Sequence, residues 1–115
     1  MKKSQKKEII GLTAKVVLIG PEKQKSVVAR IDTGATLGSI DNKIVKELKL
    51  GPVLRTKLVK SSHGQSKRPI IKASVKIGSR RIKARFTVAD RSKLKYKVLI
   101  GQNILKKRFM IDPDK

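Results

Sequence analysis

The stretch from Ile70 to Val88 constrains the fold more than any other part of this chain. Ile71, Ala73, Val75 and Ile77 alternate with Lys72, Ser74 and Lys76. After Gly78-Ser79, the residues Ile82, Ala84, Phe86 and Val88 alternate with Arg81, Lys83, Arg85 and Thr87. A period of two is the mark of a strand with one apolar face, and a two-residue Gly-containing break between two such strands is a hairpin signal. One face of the pair must meet a core. The other is mostly cationic.

The neighbouring segments extend the pattern. Ile9 to Ile19 reads as one or two strands, and Gly20-Pro21-Glu22-Lys23 as a turn. Val27 to Ile31 is the next strand. Asp41 reads as the N-cap of a short helix with Ile44, Val45 and Leu48 on one face, ended by Gly51-Pro52. Val53 to Val59 is strand-like. Leu94, Tyr96 and Val98 alternate with Lys93, Lys95 and Lys97, which predicts another strand. Asn103 to Lys107 reads as a short helix, and Phe109 to Ile111 as a last strand stopped by Asp112-Pro113. Many short strands with one or two short helices predict a mostly β chain closed into a small barrel.

With 115 residues, one domain is expected. Residues 1–8 read as a basic flexible tail and residues 9–115 as the domain. Aromatic content of 3% makes the core small and aliphatic, so support from a dimer interface is expected. The absence of Cys removes disulfides and thiol nucleophiles, and fits a reducing compartment. No apolar run approaches the ~20 residues that span a bilayer. Met1-Lys2-Lys3 resembles the basic start of a signal peptide, but Thr13 and Lys15 interrupt the segment after it and no cleavage site follows. The expectation is a cytoplasmic protein with no membrane partner.

Two further motifs carry chemistry: Ile31-Asp32-Thr33-Gly34-Ala35, and Val98-Leu99-Ile100-Gly101 followed by Ile104-Leu105. The first puts a carboxylate at the end of an apolar strand, and the second ends an apolar strand in Gly before a short helix. In this order they resemble the retropepsin-like aspartic peptidases, over roughly Lys15 to Asp112. That family includes retroviral proteases and a prokaryotic branch often labelled an ATP-dependent zinc protease. Asp90-Arg91-Ser92, with Leu94 and Tyr96 ahead of Val98, is similar to the prokaryotic branch.

The resemblance implies a closed β-barrel of the retropepsin (acid protease) type and an aspartic endopeptidase acting on a peptide or protein substrate. Hydrolysis by carboxylates takes two acids that share one proton. One Asp-Thr-Gly per chain is half of that machinery, so the resemblance implies a homodimer. Asp32 is then the catalytic residue, on a loop completed by Thr33, Gly34, Ala35 and Thr36. Gly34 permits a sharp turn. The resemblance gives Thr33 a grip on the partner loop, makes Ala35 small so that substrate can pass, and matches Thr36 to a small polar position. Ile100, Gly101 and Gln102 form the supporting second motif. The family usually has Arg where this chain has Gln102, which puts the bracing of the loop or dimer in question. Gly38 reads as loosening the segment after the loop. Ser62, His63, Gly64 and Gln65 lie in the segment that would be a flap over the cleft, or a plain exposed hairpin tip.

Zinc and ATP find no residues here. A catalytic zinc takes about three His, Cys or carboxylate ligands, and this chain has no Cys, one His and scattered acids. Gly20 to Ser26 lacks the second Gly and the Gly-Lys pair of a phosphate loop. No metal and no cofactor are expected.

The charge suggests a different activity. Thirty Lys and Arg stand against eight Asp and Glu, a net +22. Such an excess points toward polyanions or acidic partners. The outward positions Lys72, Lys76, Arg81, Lys83, Arg85, Lys93, Lys95 and Lys97 form a continuous cationic face if their three strands are neighbours. That face would bind phosphate backbones without sequence specificity, or favour acidic substrates near the cleft. The alternative to a protease is thus a non-catalytic module of the same fold that binds nucleic acid or an acidic protein.

Overall fold

The computed structural model describes residues 6–61 and 64–115. Its elements are β1 (Glu8–Ile10), β2 (Thr13–Ile19), β3 (Gln24–Ile31), β4 (Gly38–Asp41), α1 (Asn42–Leu48), β5 (Val53–Ser61), β6 (Gly64–Ile77), β7 (Arg80–Ala89), β8 (Val98–Ile100), α2 (Gln102–Leu105) and β9 (Phe109–Ile111). The alternating stretch forms the antiparallel pair β6–β7, with Ile71 opposite Phe86 and Val75 opposite Ile82. Gly78 makes the turn at φ 58°, where a side chain would be strained.

The strands run in the order β2-β3-β8-β4-β7-β6, and β6 returns to pair with β2. This closes a six-stranded barrel, and β5 continues outward from β6 as a hairpin arm. Closure leaves β2 and β6 without open edges over their paired lengths. Val16, Leu18, Ile40, Ile71, Val75, Ile77, Phe86, Val98, Ile100 and Ile104 are fully buried. At about 1.5–3 kcal/mol for each large apolar side chain removed from water, this aliphatic set dominates stability. Phe86 is its one fully buried aromatic among the described residues. The strands β1 and β9 form a separate parallel pair with Ile9 beside Met110.

The mostly β barrel with two short helices agrees with the sequence reading, but four details differ. First, no strand was expected at Gly38–Asp41, yet β4 is a fully buried central strand. A four-residue strand made of Gly, Ser, Ile and Asp has little β-propensity, and burial between β7 and β8 creates it.

Second, Gly51-Pro52 does not stop α1. Lys49 does so in the left-handed conformation, φ 54° and ψ 46°. Third, α2 starts at Gln102 and ends at Leu105, shorter and earlier than expected.

Fourth, the strand expected around Lys93–Val98 is confined to Val98–Ile100, and residues 90–97 are loop and turn. Lys97 explains the change. Its ammonium donates to the carbonyls of Arg91 at 3.1 Å, Ser92 at 2.7 Å and Leu94 at 2.7 Å. These three bonds match its three donors and fold the loop back on itself. Lys97 is therefore a half-buried internal clasp and not part of an outward cationic row.

Asp41 secures the same loop from the other side. It is 3% exposed. Its Oδ2 accepts from the Lys43 amide at 3.2 Å and caps α1, as expected. Its Oδ1 accepts from the Arg91 amide at 2.7 Å. Removing the carboxylate leaves two amides without their acceptor, both at part-buried contacts. Asp41→Ala should cost about 1–3 kcal/mol, read as a lower urea midpoint with unchanged slope. A midpoint equal to the parent's would show that Asp41 does not hold this loop.

Glu8 anchors β1 on the far side. Its carboxylate accepts from the Ser79 hydroxyl and amide and lies 3.7 Å from the Arg80 Nε. The Ser79 hydrogen bonds pull its pKa below the usual 4.5. A carboxylate whose native pKa is depressed stabilises the fold above its unfolded value and loses that contribution as pH falls through the native one. Amide exchange of β1 and of the Gly78–Ser79 turn should therefore accelerate as pH drops below about 4.5, after correction for intrinsic rates. Glu8→Gln should abolish most of this pH response. A response unchanged in that variant would assign it to another group.

Candidate active site

The site begins with the way β8 lies between two strands. It runs parallel to β3, with Ile31 beside Ile100. It runs antiparallel to β4, with Ser39 beside Leu99. The chain leaves β3 at Ile31, forms the loop Asp32–Leu37, and enters β4 on the opposite side of β8. The loop therefore has to wrap around the end of β8.

Two glycines permit that crossing. A side chain on Gly101 would lie 2.6 Å from the Leu37 carbonyl carbon and 2.8 Å from the Gly38 nitrogen. One on Gly38 would lie 2.5 Å from the Leu99 oxygen and 2.8 Å from the Phe86 ring. Gly38 therefore does not loosen the segment; it is buried and makes a tight backbone crossing possible.

The loop is held by hydrogen bonds at nearly every residue. The Asp32 amide donates to the Ile100 carbonyl at 2.9 Å, and the Ala35 amide to the Asp32 carbonyl at 3.3 Å. The Gly34 amide donates to Asp32 Oδ1 at 2.9 Å, which fixes the carboxylate. The helix α2 has no side-chain cap at Gly101. Its first amides instead donate to the loop, Gln102 to the Ala35 carbonyl at 2.7 Å and Asn103 to the Thr36 carbonyl at 3.1 Å. The loop satisfies donors that a helix start leaves open, and the helix start immobilises the loop.

The Gln102 side chain adds a third tie, from its Nε2 to the Thr33 carbonyl at 2.7 Å. Gln102, where the resemblance implies an Arg, thus braces the loop within its own chain. Asp32 is half-buried, while Thr33, Gly34 and Thr36 are exposed. The structure brings Asp32, Thr33, Gly34, Ala35, Thr36, Ile100, Gly101 and Gln102 together at one end of the barrel.

Arg91 is a residue that the sequence reading did not assign to the site. Burial, reinforced by the nearby Arg68 cation, pulls its guanidinium below the ordinary value, while Asp41 and Asp32 oppose that shift. Its Nε donates to the Tyr96 carbonyl at 3.0 Å. Arg91 thus feels both the Asp32 carboxylate and the base of the β5–β6 arm. The Asp90-Arg91-Ser92 pattern was the available signal. Beside it, a pocket of about 530 Å³ opens between α1, the base of the arm and the end of β7, walled by Val45, Val53, Ile71 and Val88.

Of the expected flap residues, Ser62 and His63 lie outside the described residues. Gly64 takes φ 110° at the start of β6, and Gln65 is exposed opposite Lys60. Of the expected cationic positions, Lys72, Lys76, Arg81, Lys83 and Arg85 share the outer face of β6–β7. Lys93 and Lys95 belong to the separate 90–97 loop. Among the described residues no group of three or more His, Cys, Asp or Glu is placed to hold a metal, and no helix is long and apolar enough to cross a membrane.

The Gln102 tie has a measurable value. Gln102→Ala should lower stability by about 0.5–1.5 kcal/mol, the usual net contribution of one hydrogen bond, and speed amide exchange at Gly34 and Ala35 more than in β6. Equal exchange rates in parent and variant would mean that the side chain does not brace the loop.

No curated protein matches the chain. Among solved structures, a protein of unknown function from Legionella pneumophila, Lpg0085 (DUF785), superposes with a TM-score of 0.65 at 18% identity, covering 94% of this chain and 95% of that one. EIAV protease, solved with the inhibitor HBY-793, gives 0.63 at 22% identity, covering 82% and 84%. The simian foamy virus (mac) protease gives 0.59 at 18% identity, covering 77% and 86%. These likenesses establish the fold as that of retroviral proteases. The family described as RimB-like, retropepsin-like aspartic endopeptidase RimB, matches residues 41–115. That segment begins after the Asp32 loop and contains α1, the hairpin arm, β8 and α2. The chain belongs to the RimB-like family of retropepsin-like aspartic endopeptidases.

Proposed function

We propose that this chain is an aspartic endopeptidase that works as a homodimer, with the Asp32 carboxylates of two copies facing each other across a two-fold axis. The observation that carries this reading is the Asp32 loop: a half-buried carboxylate on a loop fixed by β8 and α2, with exposed Thr33 and Gly34 beside it. One such loop supplies one acid. The reaction takes two.

Two carboxylates about 3 Å apart cannot both ionise, so the pair holds one proton. The ionised member takes a proton from a water, whose oxygen adds to the peptide carbonyl carbon. The protonated member gives its proton to the carbonyl oxygen. The tetrahedral adduct collapses and the C–N bond breaks: the amine nitrogen leaves with a proton from one carboxyl, while a hydroxyl of the adduct returns a proton to the other carboxylate, which restores the singly protonated pair.

The apolar surface supports a second copy. Ile9, Leu12 and Met110 are 51%, 56% and 58% exposed. Ile9 and Met110 are register partners in the β1–β9 pair. The Leu12 carbonyl accepts from the Ile31 amide at 3.0 Å, one residue before Asp32. Burying this patch against its symmetry mate brings the two loops together, and C2 is the commonest closed symmetry. The opposing force is repulsion between protomers that each carry +22. Salt screens it, so the dimer should tighten as salt rises.

The β5–β6 arm serves as the lid that excludes water. Arg91, which interacts electrostatically with Asp32, favours peptides with carboxylates over basic ones.

Asp32→Asn should lower peptide cleavage about 100- to 10,000-fold, the usual share of a positioned acid–base group, with the circular dichroism spectrum unchanged. Sedimentation on the same samples should show cleavage tracking the dimer fraction across salt. A wild-type dimer that cleaves nothing in a peptide library at mildly acidic or neutral pH, or an Asp32→Asn variant with full activity, would end this reading.

A further inference from the structure

The outer face of β6–β7 carries cations opposite one another. Lys76 faces Arg81 and Lys72 faces Arg85, with Ser74 opposite Lys83 between them. Like charges directly across an antiparallel pair are destabilising. Among the described residues, none of Lys72, Lys76, Arg81, Lys83 and Arg85 takes part in an ion pair. The face continues into β2, where Val17 lies beside Lys76 and Ile19 beside Ser74. It carries no acid and no aromatic ring.

At its edge the face becomes concave. A pocket of about 260 Å³ lies between the β2–β3 turn, the segment after α1, and the two strands. Lys72, Arg81 and Lys83 line it with the Ser74 hydroxyl and the backbone of Gly20 and Gly51. Lys49 also reaches it, but is paired with Glu22 at 2.9 Å. Three unpaired cations and a hydroxyl around one hollow suit a tetrahedral anion such as a phosphate group, which Arg can bind through two donors.

We propose that this face binds the phosphate backbone of a nucleic-acid duplex, with one phosphate seated in the hollow. The surface chemistry separates this from the two nearest readings. A protein partner of lasting affinity needs an apolar or aromatic interface centre, where Lys is depleted, and this face has the opposite composition. Single-stranded nucleic acid needs aromatic platforms, and there are none. A regular cationic grid without base-reading groups fits backbone contact independent of sequence. The surface is distinct from Asp32, so the inference stands whether or not the chain cleaves peptides.

The test uses a fluorescent 20-base-pair DNA duplex of arbitrary sequence and the full chain. Five phosphate contacts predict a log K against log salt slope of about −4.5, or about 500-fold weaker binding at 200 mM than at 50 mM salt. The triple variant Lys76→Gln, Arg81→Gln, Lys83→Gln should flatten the slope by about 3. It also removes the like-charge pair Lys76–Arg81, so its Tm at low salt should equal or exceed the parent's, which separates lost binding from lost fold. The control Lys57→Gln, Lys93→Gln, Lys95→Gln removes the same charge elsewhere and should change the slope by less than about 1. Equal losses in the two triple variants would assign binding to net charge alone and overturn the site. Competition by poly-L-aspartate as effective, charge for charge, as unlabelled duplex would overturn the nucleic-acid assignment in favour of an acidic protein.

Discussion

At the end of β8, the backbone of Gly101 passes against the Leu37–Gly38 peptide with no room for a side chain between them. The organisation of the Asp32 end of the barrel follows from that crossing. Because β8 lies between β3 and β4, the chain that leaves β3 has to loop over its end. The carbonyls of that loop then face the start of α2, which lacks a side-chain cap. The loop caps the helix, and the helix fixes the loop. The geometry of Asp32 is thus set by strand order and not by local turn preference. A free Asp-Thr-Gly turn would sample several conformations; this one is tied at Asp32, Thr33, Ala35 and Thr36 by partners far along the chain.

This dependence explains what the sequence could and could not reveal. The β6–β7 hairpin was legible because its periodicity is local, its turn residue is Gly, and its inward residues are all apolar, most of them β-branched. The Asp41 cap was legible for the same reason: the signal sits within three residues of the helix it starts. Strand β4 was not. Gly38-Ser39-Ile40-Asp41 has no pattern of its own and becomes a strand only when β7 and β8 flank it. Lys93–Lys97 misled in the opposite direction, since an alternating pattern is also what a loop shows when one Lys turns inward to gather carbonyls. Gln102, where the resemblance implies an Arg, put the bracing of the loop in question. Only the contact with the Thr33 carbonyl reveals that the shorter side chain still reaches the loop.

The few acids show why the fold tolerates its charge. Of the eight, Glu8, Asp32, Asp41, Asp90 and Asp112 each accept from a backbone amide. Glu22 and Glu47 hold Lys49 and Lys25 across separate elements. The acids are placed where an amide lacks an acceptor or two segments need an anchor, and net charge as such does not specify a fold. Much of the cationic surplus is left on surfaces the barrel does not use internally; Lys97, Arg91 and Arg108, which donate to backbone carbonyls, are instructive exceptions. Among the described residues, two exposed surfaces bear on the proposed dimer and on the proposed duplex binding. One is the apolar patch of Ile9, Leu12 and Met110 beside the Asp32 strand. The other is the cationic outer face of β6–β7. A homodimer at the first and a polyanion at the second, as proposed, would respond in opposite ways to ionic strength, because salt relieves repulsion between copies and weakens phosphate contact. A polyanion on the second face would itself neutralise part of the charge that opposes the proposed dimer at the first, which would couple the two surfaces through electrostatics without any conformational change.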